Sequence, residues 1–296
     1  MVNMLWLRYT ILVDIVAGTQ QLISHGKIGD NMTQSERRQF LIRYLLSENA
    51  QYTNIEIPED EVSQKQLLRA LMNVRPAIPA NDEFLAVQNA YLQEVNQVRG
   101  ITNLSDLLPT INHNNGNIFL WRGDITTLRV EGIVNAANSG LTGCWQPCHA
   151  CIDNCIHTYA GIQLRAACDK IIREQGHEEP TGCAKITPAF NLPCRHVLHT
   201  VGPIIMGGLT KKDCDLLASC YTSCLNLAAE NDLHSIAFCC ISTGVFHFPP
   251  EEAARIAYRT VMDWKQKESY FMNVVFNVFS QQDELIYQSV LEKDKS

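Results

Sequence analysis

Apolar residues recur along this chain in two rhythms, and the rhythm changes near Asn117. Before that point Phe40, Leu41, Tyr44 and Leu45 fall at i, i+1, i+4 and i+5, the spacing of one helix face. Thr33 stands where it can cap that run. Two further runs, 62–74 and 82–100, repeat the pattern through Leu67, Leu68 and Leu71 and then through Phe84, Val87 and Tyr91, with Pro58, Pro76 and Pro79 between them. Segment 31–116 is therefore expected to be a small helical layer whose role is packing or partner docking. Residues 1–30 stand apart as an N-terminal extension, either a genuine segment or a start-site artefact. From Asn117 onward, short runs rich in Val, Ile and Phe predict buried strands over 118–121, 132–135, 197–201, 235–241 and 273–279. Helical patterns at 156–174, 213–231, 250–267 and 283–291 alternate with them, and Pro249-Pro250-Glu251-Glu252 is a strong helix start. Repeated strand–helix alternation predicts a layered α/β domain over 117–296.

Composition narrows the function. With 296 residues, 46% of them hydrophobic, the chain has length for a sizeable core plus an appended layer. The formal net charge is -7 and there is no Lys/Arg run, which argues against nucleic acid or an anionic membrane as partner. Any phosphate must then be held by local donors. The apolar stretch 5–17 is interrupted by Arg8 and Asp14 and lacks a basic n-region, so neither a signal peptide nor a membrane span is expected, and a cytoplasmic protein is. All 12 cysteines lie between Cys144 and Cys240 at irregular spacings, which favours reduced thiols over a disulfide framework. Cys220, Cys224, Cys239 and Cys240 sit within apolar patterns, where a free cysteine serves as a small buried hydrophobe.

Chemistry concentrates between Gly143 and His157, where Cys144, Cys148, His149, Cys151 and Cys155 crowd beside Asp153 and Asn154. This density predicts a metal loop. It follows Ile133-Val134-Asn135-Ala136-Ala137-Asn138-Ser139, an apolar strand running into amide and small residues, and strand ends are where α/β sheets bind ligands. The residues alone allow a three-ligand site with an open position or a closed four-ligand site that recruits Cys148 or Cys155.

Five segments in order resemble the macro domain, a binder of ADP-ribose: Gly123-Asp124-Ile125-Thr126, the Asn135 to Ser139 strand end, Ile152-Asp153 leading to His157 and Gly161, His199-Thr200-Val201-Gly202-Pro203, and Ile241-Ser242-Thr243-Gly244-Val245-Phe246. The loop after the Asn-Ala-Ala-Asn strand departs from the glycine run of the commonest macro-domain hydrolases. It is similar instead to the zinc-dependent branch, whose members hydrolyse mono-ADP-ribose from proteins and often carry an N-terminal helical extension. The resemblance implies a three-layer α/β/α macro domain and a Zn2+ cofactor on Cys144, His149 and Cys151. It implies mono-ADP-ribosylated protein and ADP-ribose as partners.

Matched by position, Asp124 would accept from the adenine amino group beside the Ile125 backbone. Ser242, Thr243, Gly244, Val245 and Phe246 would bind the diphosphate through backbone amides. Cys151, Ile152, Asp153 and Asn154 would face the pyrophosphate and ribose, with Asn138 and Asp153 as the catalytic pair holding the distal ribose. Asn135 is read as securing the strand-to-loop backbone and His157 as packing or capping. His199 and His247 receive no role. A reader that binds ADP-ribose without cleaving it, its zinc purely structural, is the alternative. Because every ligand motif falls after Asn117, the preceding segment is expected to be dispensable for binding free ADP-ribose.

Overall fold

The computed structural model describes residues 32–52 and 54–292, so the expectations for 1–30 lie outside the described residues. Three helices come first: α1 (Gln34–Ser47), α2 (Glu61–Val74) and α3 (Asp82–Val98). Each begins on a side-chain cap. Thr33 and Glu36 form a reciprocal capping box, Asp60 accepts from the Ser63 amide, and Asn81 accepts from the Phe84 amide. Their inward faces meet in a core of their own, with Leu41, Ile42, Phe84 and Val87 completely buried. Burial of each such side chain contributes roughly 1.5–3 kcal/mol.

The second part is a six-stranded sheet between helices. Its strands are β2 (Ile118–Arg122), β4 (Gly132–Ala137), β5 (Ala184–Pro188), β6 (His196–Val201), β7 (Ser235–Phe238) and β8 (Asn273–Val278), in the spatial order β2-β8-β7-β4-β6-β5. All neighbours are parallel except β5 against β6. A small parallel ladder joins β1 (Thr102–Asn103) to β3 (Leu128–Arg129). The helices are α4 (Ile152–Ala160), α5 (Ile162–Gln175), α6 (Lys211–Glu230), α7 (Pro250–Lys267) and α8 (Gln281–Glu292). This is the three-layer α/β/α arrangement, and α4 also touches α2 and α3 of the helical layer. No helix among the described residues is long and apolar enough to cross a membrane.

Differences from the sequence expectation are local. The helix expected over 156–174 starts earlier and is cut at Gly161, whose φ of 99° only glycine adopts easily; a Cβ there would also lie 2.7 Å from Gln88 and 2.8 Å from Gln163. Strand β7 ends at Phe238 rather than running on to Ile241. Strand β5 was not expected: Ala184-Lys185-Ile186-Thr187-Pro188 is short, has one central aliphatic residue and ends in proline, the profile of an edge strand. All 12 cysteines are unpaired, and Cys220, Cys224 and Cys239 are buried in the core.

Candidate active site

Strands β4 and β7 are neighbours, yet the chain leaves them in opposite directions across the sheet. From β4 it moves toward β6 and β5, and from β7 toward β8. Their C-terminal ends therefore flank a crevice at a topological switch point. The loop 138–151 leaves β4 on one side and the loop 239–249 leaves β7 on the other.

In the first loop the donor atoms of Cys144, His149 and Cys151 lie within 4.8 Å of one another, and Cys144 Sγ is 3.6 Å from His149 Nδ1. All three residues are half-buried. The two other candidate thiols point away. Cys148 is exposed and its Sγ lies 3.4 Å from the Gln66 carbonyl, while Cys155 Sγ lies 3.6 Å from Arg69 Nη2. Two thiols and an imidazole on one open face fit a borderline-soft divalent cation of the zinc type that keeps a further coordination position free. Burial and the neighbouring Cys144 push the Cys151 thiol up to about 12, the Asn154 amide opposing them. A cation at this point would remove that penalty. A second triad, His157, Cys168 and His199, lies wholly inside the core, where Asn135 and Thr187 already contact both ring nitrogens of His199.

Helix α4 begins on Cys151, so its first-turn amides, those of Ile152, Asp153 and Asn154, open next to the thiols. The side chains of two of these residues turn elsewhere. Asn154 is fully buried: Arg69 donates to its Oδ1 at 2.8 Å, and its Nδ2 donates to the carbonyls of Gln146 at 3.0 Å and Cys144 at 3.4 Å. Its side chain supports the loop.

Asp153 is also buried. Asn135 donates to its Oδ1 at 2.8 Å and Asn138 reaches its Oδ2 at 3.4 Å. Desolvation raises its carboxyl to about 6 against the Asn135 hydrogen bond and the Arg165 charge. The carboxylate thus lies between the Asn135 and Asn138 side-chain amides. The long 3.4 Å contact leaves Oδ2 with acceptor capacity. Asn138 donates to the Gly143 carbonyl at 3.0 Å, so its Oδ1 is the atom left for a ligand hydroxyl.

Asn135 does not brace backbone, as the sequence suggested. The parallel register sets it opposite His199, and it links that ring (3.2 Å) to Asp153. His157 packs beneath the loop, 3.6 Å from Asp153, so close that a Cβ on Gly143 would lie 2.8 Å from its ring.

The second loop turns through Ser242 at φ 64°. Its folding bonds run from His247 to the Gly244 carbonyl (3.0 Å), from Phe248 to Ser242 (3.0 Å), and from Ile205 to the Phe246 carbonyl (2.9 Å). The amides of Gly244, Val245 and Phe246 have no hydrogen-bond acceptor among the described residues. Three free amides on an exposed turn form an anion-binding concavity without any cation. Val245 is exposed, Phe246 and Thr243 are half-buried and Ser242 is buried.

Asp124 follows β2 and caps the short turn Ile125–Thr127, accepting from Thr126 N (2.9 Å) and Thr126 Oγ1 (2.6 Å). Its second oxygen pairs with Arg99, which also bonds Thr126 Oγ1 at 2.8 Å and lies 3.5 Å over the Tyr159 ring. Sequence reasoning missed Arg99, since an arginine at the end of a helix reads as an ordinary C-terminal cation. It missed Phe279 too, 80% exposed directly after β8, where Gly123 donates to the Val278 carbonyl at 3.0 Å. The sequence reading took Phe279 as the end of a buried strand, and its exposure shows only in the fold. Through Arg99 and Arg69 the helical layer contacts Asp124 and the 144–151 loop.

A mostly parallel sheet with loops 138–151 and 239–249 flanking a crevice at its switch point defines an α/β ligand-binding fold, and residues 134–257 match the Macro domain family. The chain belongs to the macro domain family. It is 65% identical to "Protein-ADP-ribose hydrolase" of Treponema medium, over 88% of this chain and 100% of that protein. It is 48% identical to the protein of the same name in Staphylococcus aureus strain MSSA476, over 87% of this chain and 96% of that one. Among solved structures it resembles an Oceanobacillus iheyensis macrodomain with ADP (TM-score 0.58, 38% identity, 62% of this chain and 95% of that one). It also resembles a Trypanosoma brucei macrodomain in complex with ADP-ribose (TM-score 0.55, 27% identity, 90% and 94%). The latter coverage takes in most of the helical layer.

Proposed function

We propose that this protein is a hydrolase that removes mono-ADP-ribose from modified protein side chains, with zinc held by Cys144, His149 and Cys151. The convergence of three soft donors at the end of β4, facing three free amides after β7, carries the reading. The names of the relatives and the ADP-ribose in the Trypanosoma brucei structure support it.

In this reading the diphosphate is bound by the Gly244, Val245 and Phe246 amides and the N-terminal turn of α4, which suits a protein of net charge -7. Adenine lies beyond them, its amino group on Asp124 and its face on Phe279. The distal ribose then falls between Asn138 and the metal donors. Zinc would supply a Lewis acid there for a ribose hydroxyl or for water. Asn138 Oδ1 accepts from a ribose hydroxyl, and Asp153 holds the Asn138 amide so that this acceptor keeps one direction. Cleavage at the anomeric carbon develops oxocarbenium character, so fixing the ribose hydroxyls acts mainly on the transition state. Twelve unpaired thiols fit a reducing, cytoplasmic setting.

The test is release of ADP-ribose from proteins mono-ADP-ribosylated at serine, arginine or acidic residues, with and without a chelator. Chelator-sensitive release from one linkage class is expected. A zinc-loaded protein that binds ADP-ribose and releases none from any of them would be a reader.

A further inference from the structure

The metal loop is pinned along its backbone, and much of the pinning comes from outside the macro fold. Asn138 holds the Gly143 carbonyl (3.0 Å), Arg165 the Thr142 carbonyl (2.6 Å), and Asn154 the carbonyls of Cys144 and Gln146. The remaining anchors belong to α2. Asn73 Oδ1 accepts from the Cys148 amide at 2.9 Å, and Arg69 Nη2 donates to the His149 carbonyl at 2.7 Å. Arg69 also donates to Asn154 Oδ1 from Nη2 (2.8 Å) and Nε (3.3 Å), which orients the amide that holds Cys144. Residues 69 and 73 are one helical turn apart and face the loop together.

Cys148 makes this anchoring necessary. It is a non-glycine residue at φ 55°, and it directly precedes a metal donor. Left-handed backbone at such a residue persists only where surrounding contacts hold it.

We propose that Arg69 is a positioning residue for the metal loop: it ties the backbone of one donor, His149, and through Asn154 the backbone of another, Cys144, to the helical layer, and so sets the loop's affinity for a zinc-type cation. The layer is thereby a structural part of the metal site, although none of its side chains is a ligand. The inference rests on the metal reading above only for its cation; the clamp on the loop stands on geometry alone. Lysine reproduces it only in part, because one ammonium replaces Nη2, which meets both oxygens, but not the second bond from Nε.

The experiment uses the full chain as wild type, Arg69→Ala, Arg69→Lys and Arg43→Ala, the last a control whose guanidinium, among the described residues, bonds Gln39 on its own helix. Zinc affinity is read by competition with a chromogenic chelator, and loop mobility by amide hydrogen exchange across 144–151 in chelator-treated protein. Arg69→Ala is expected to weaken zinc binding by about 10–100-fold, the usual cost of losing a group that orients a ligand. It is also expected to speed exchange in the loop at least about tenfold while helical content is kept, and Arg69→Lys should fall between. Wild-type zinc affinity and wild-type exchange in Arg69→Ala would overturn the proposal. If wild type held no zinc while Arg69→Ala still sped loop exchange, the clamp would stand and the metal reading would fall.

Discussion

Asp124 gives the sharpest quantitative test, because its two oxygens carry separable tasks. Replacing it with alanine removes the cap on Ile125–Thr127, worth about 1 kcal/mol, and a half-exposed ion pair with Arg99 worth about 0.5 kcal/mol or less. The variant should lose about 1–2 kcal/mol of stability, a fall in Tm of roughly 2–8 °C for a domain of this size. If Asp124 also accepts from the adenine amino group, the lost charged hydrogen bond costs a further ~1–3 kcal/mol of binding, or about 5- to 150-fold in Kd for ADP-ribose. The assay is calorimetry with ADP-ribose and with its hypoxanthine analogue, in which a carbonyl replaces the amino group. Wild type should prefer the amino compound, and Asp124→Ala should bind both alike. Asp124→Asn keeps an acceptor for the Thr126 amide and turns an NH2 toward the base, so its preference should invert. Equal wild-type affinity for the two ligands, or an Asp124→Ala variant with unchanged affinity, would refute the assignment.

Asn138→Ala should lower kcat by about tenfold or more while ADP-ribose affinity changes by less than about threefold, since its acceptor works beside the reacting carbon; equal losses in single-turnover rate and binding would place it in ground-state binding only. Elemental analysis should find close to one zinc per chain, lost in Cys151→Ser or His149→Ala and retained in Cys148→Ser, whose thiol faces the Gln66 carbonyl. Excising residues 32–99 removes Arg69, Asn73 and Arg99 together, so ADP-ribose binding measured by calorimetry should weaken or the product should fail to stay soluble; a soluble product of unchanged affinity would make the layer an appendage after all. Burial pulls the His199 imidazole down to about 3, whereas an unfolded histidine titrates near ~6.5. Between those values the unfolded chain binds the extra proton, so stability should fall as pH drops from about 6.5 toward 3, and His199→Gln should flatten that slope in melting curves.

Much of the fold was legible because the hydrophobic rhythm reports burial, and most of its buried strands have both faces covered. Strand β4 shows it: Gly132 to Asn135 are all buried. The cluster of Cys144, His149 and Cys151 was legible because these residues crowd one short loop. What stayed hidden depends on long-range approach. Nothing in the sequence around Arg99 signals that it meets Asp124, and nothing around Asn154 signals that its amide turns inward to Arg69. The break at Gly161 was hidden for a related reason: a glycine within a helical pattern is common, and only the crowding by Gln88 and Asn191 shows that this one must turn the chain.

The clamp between α2 and the metal loop also constrains the order in which the molecule is made. Its bonds join residues 75 to 85 positions apart, so the loop acquires its shape only after two distant stretches of chain have met. The helical layer has its own core and leaves the ribosome first, which lets it stand as a template before Cys144 is synthesised. The thiols are then shaped against a surface already in place, and under the proposed zinc reading cation capture becomes one of the last events of maturation, downstream of docking. A slow loading phase after refolding, independent of zinc concentration above saturation and set by layer docking, is the kinetic trace that such an order leaves behind.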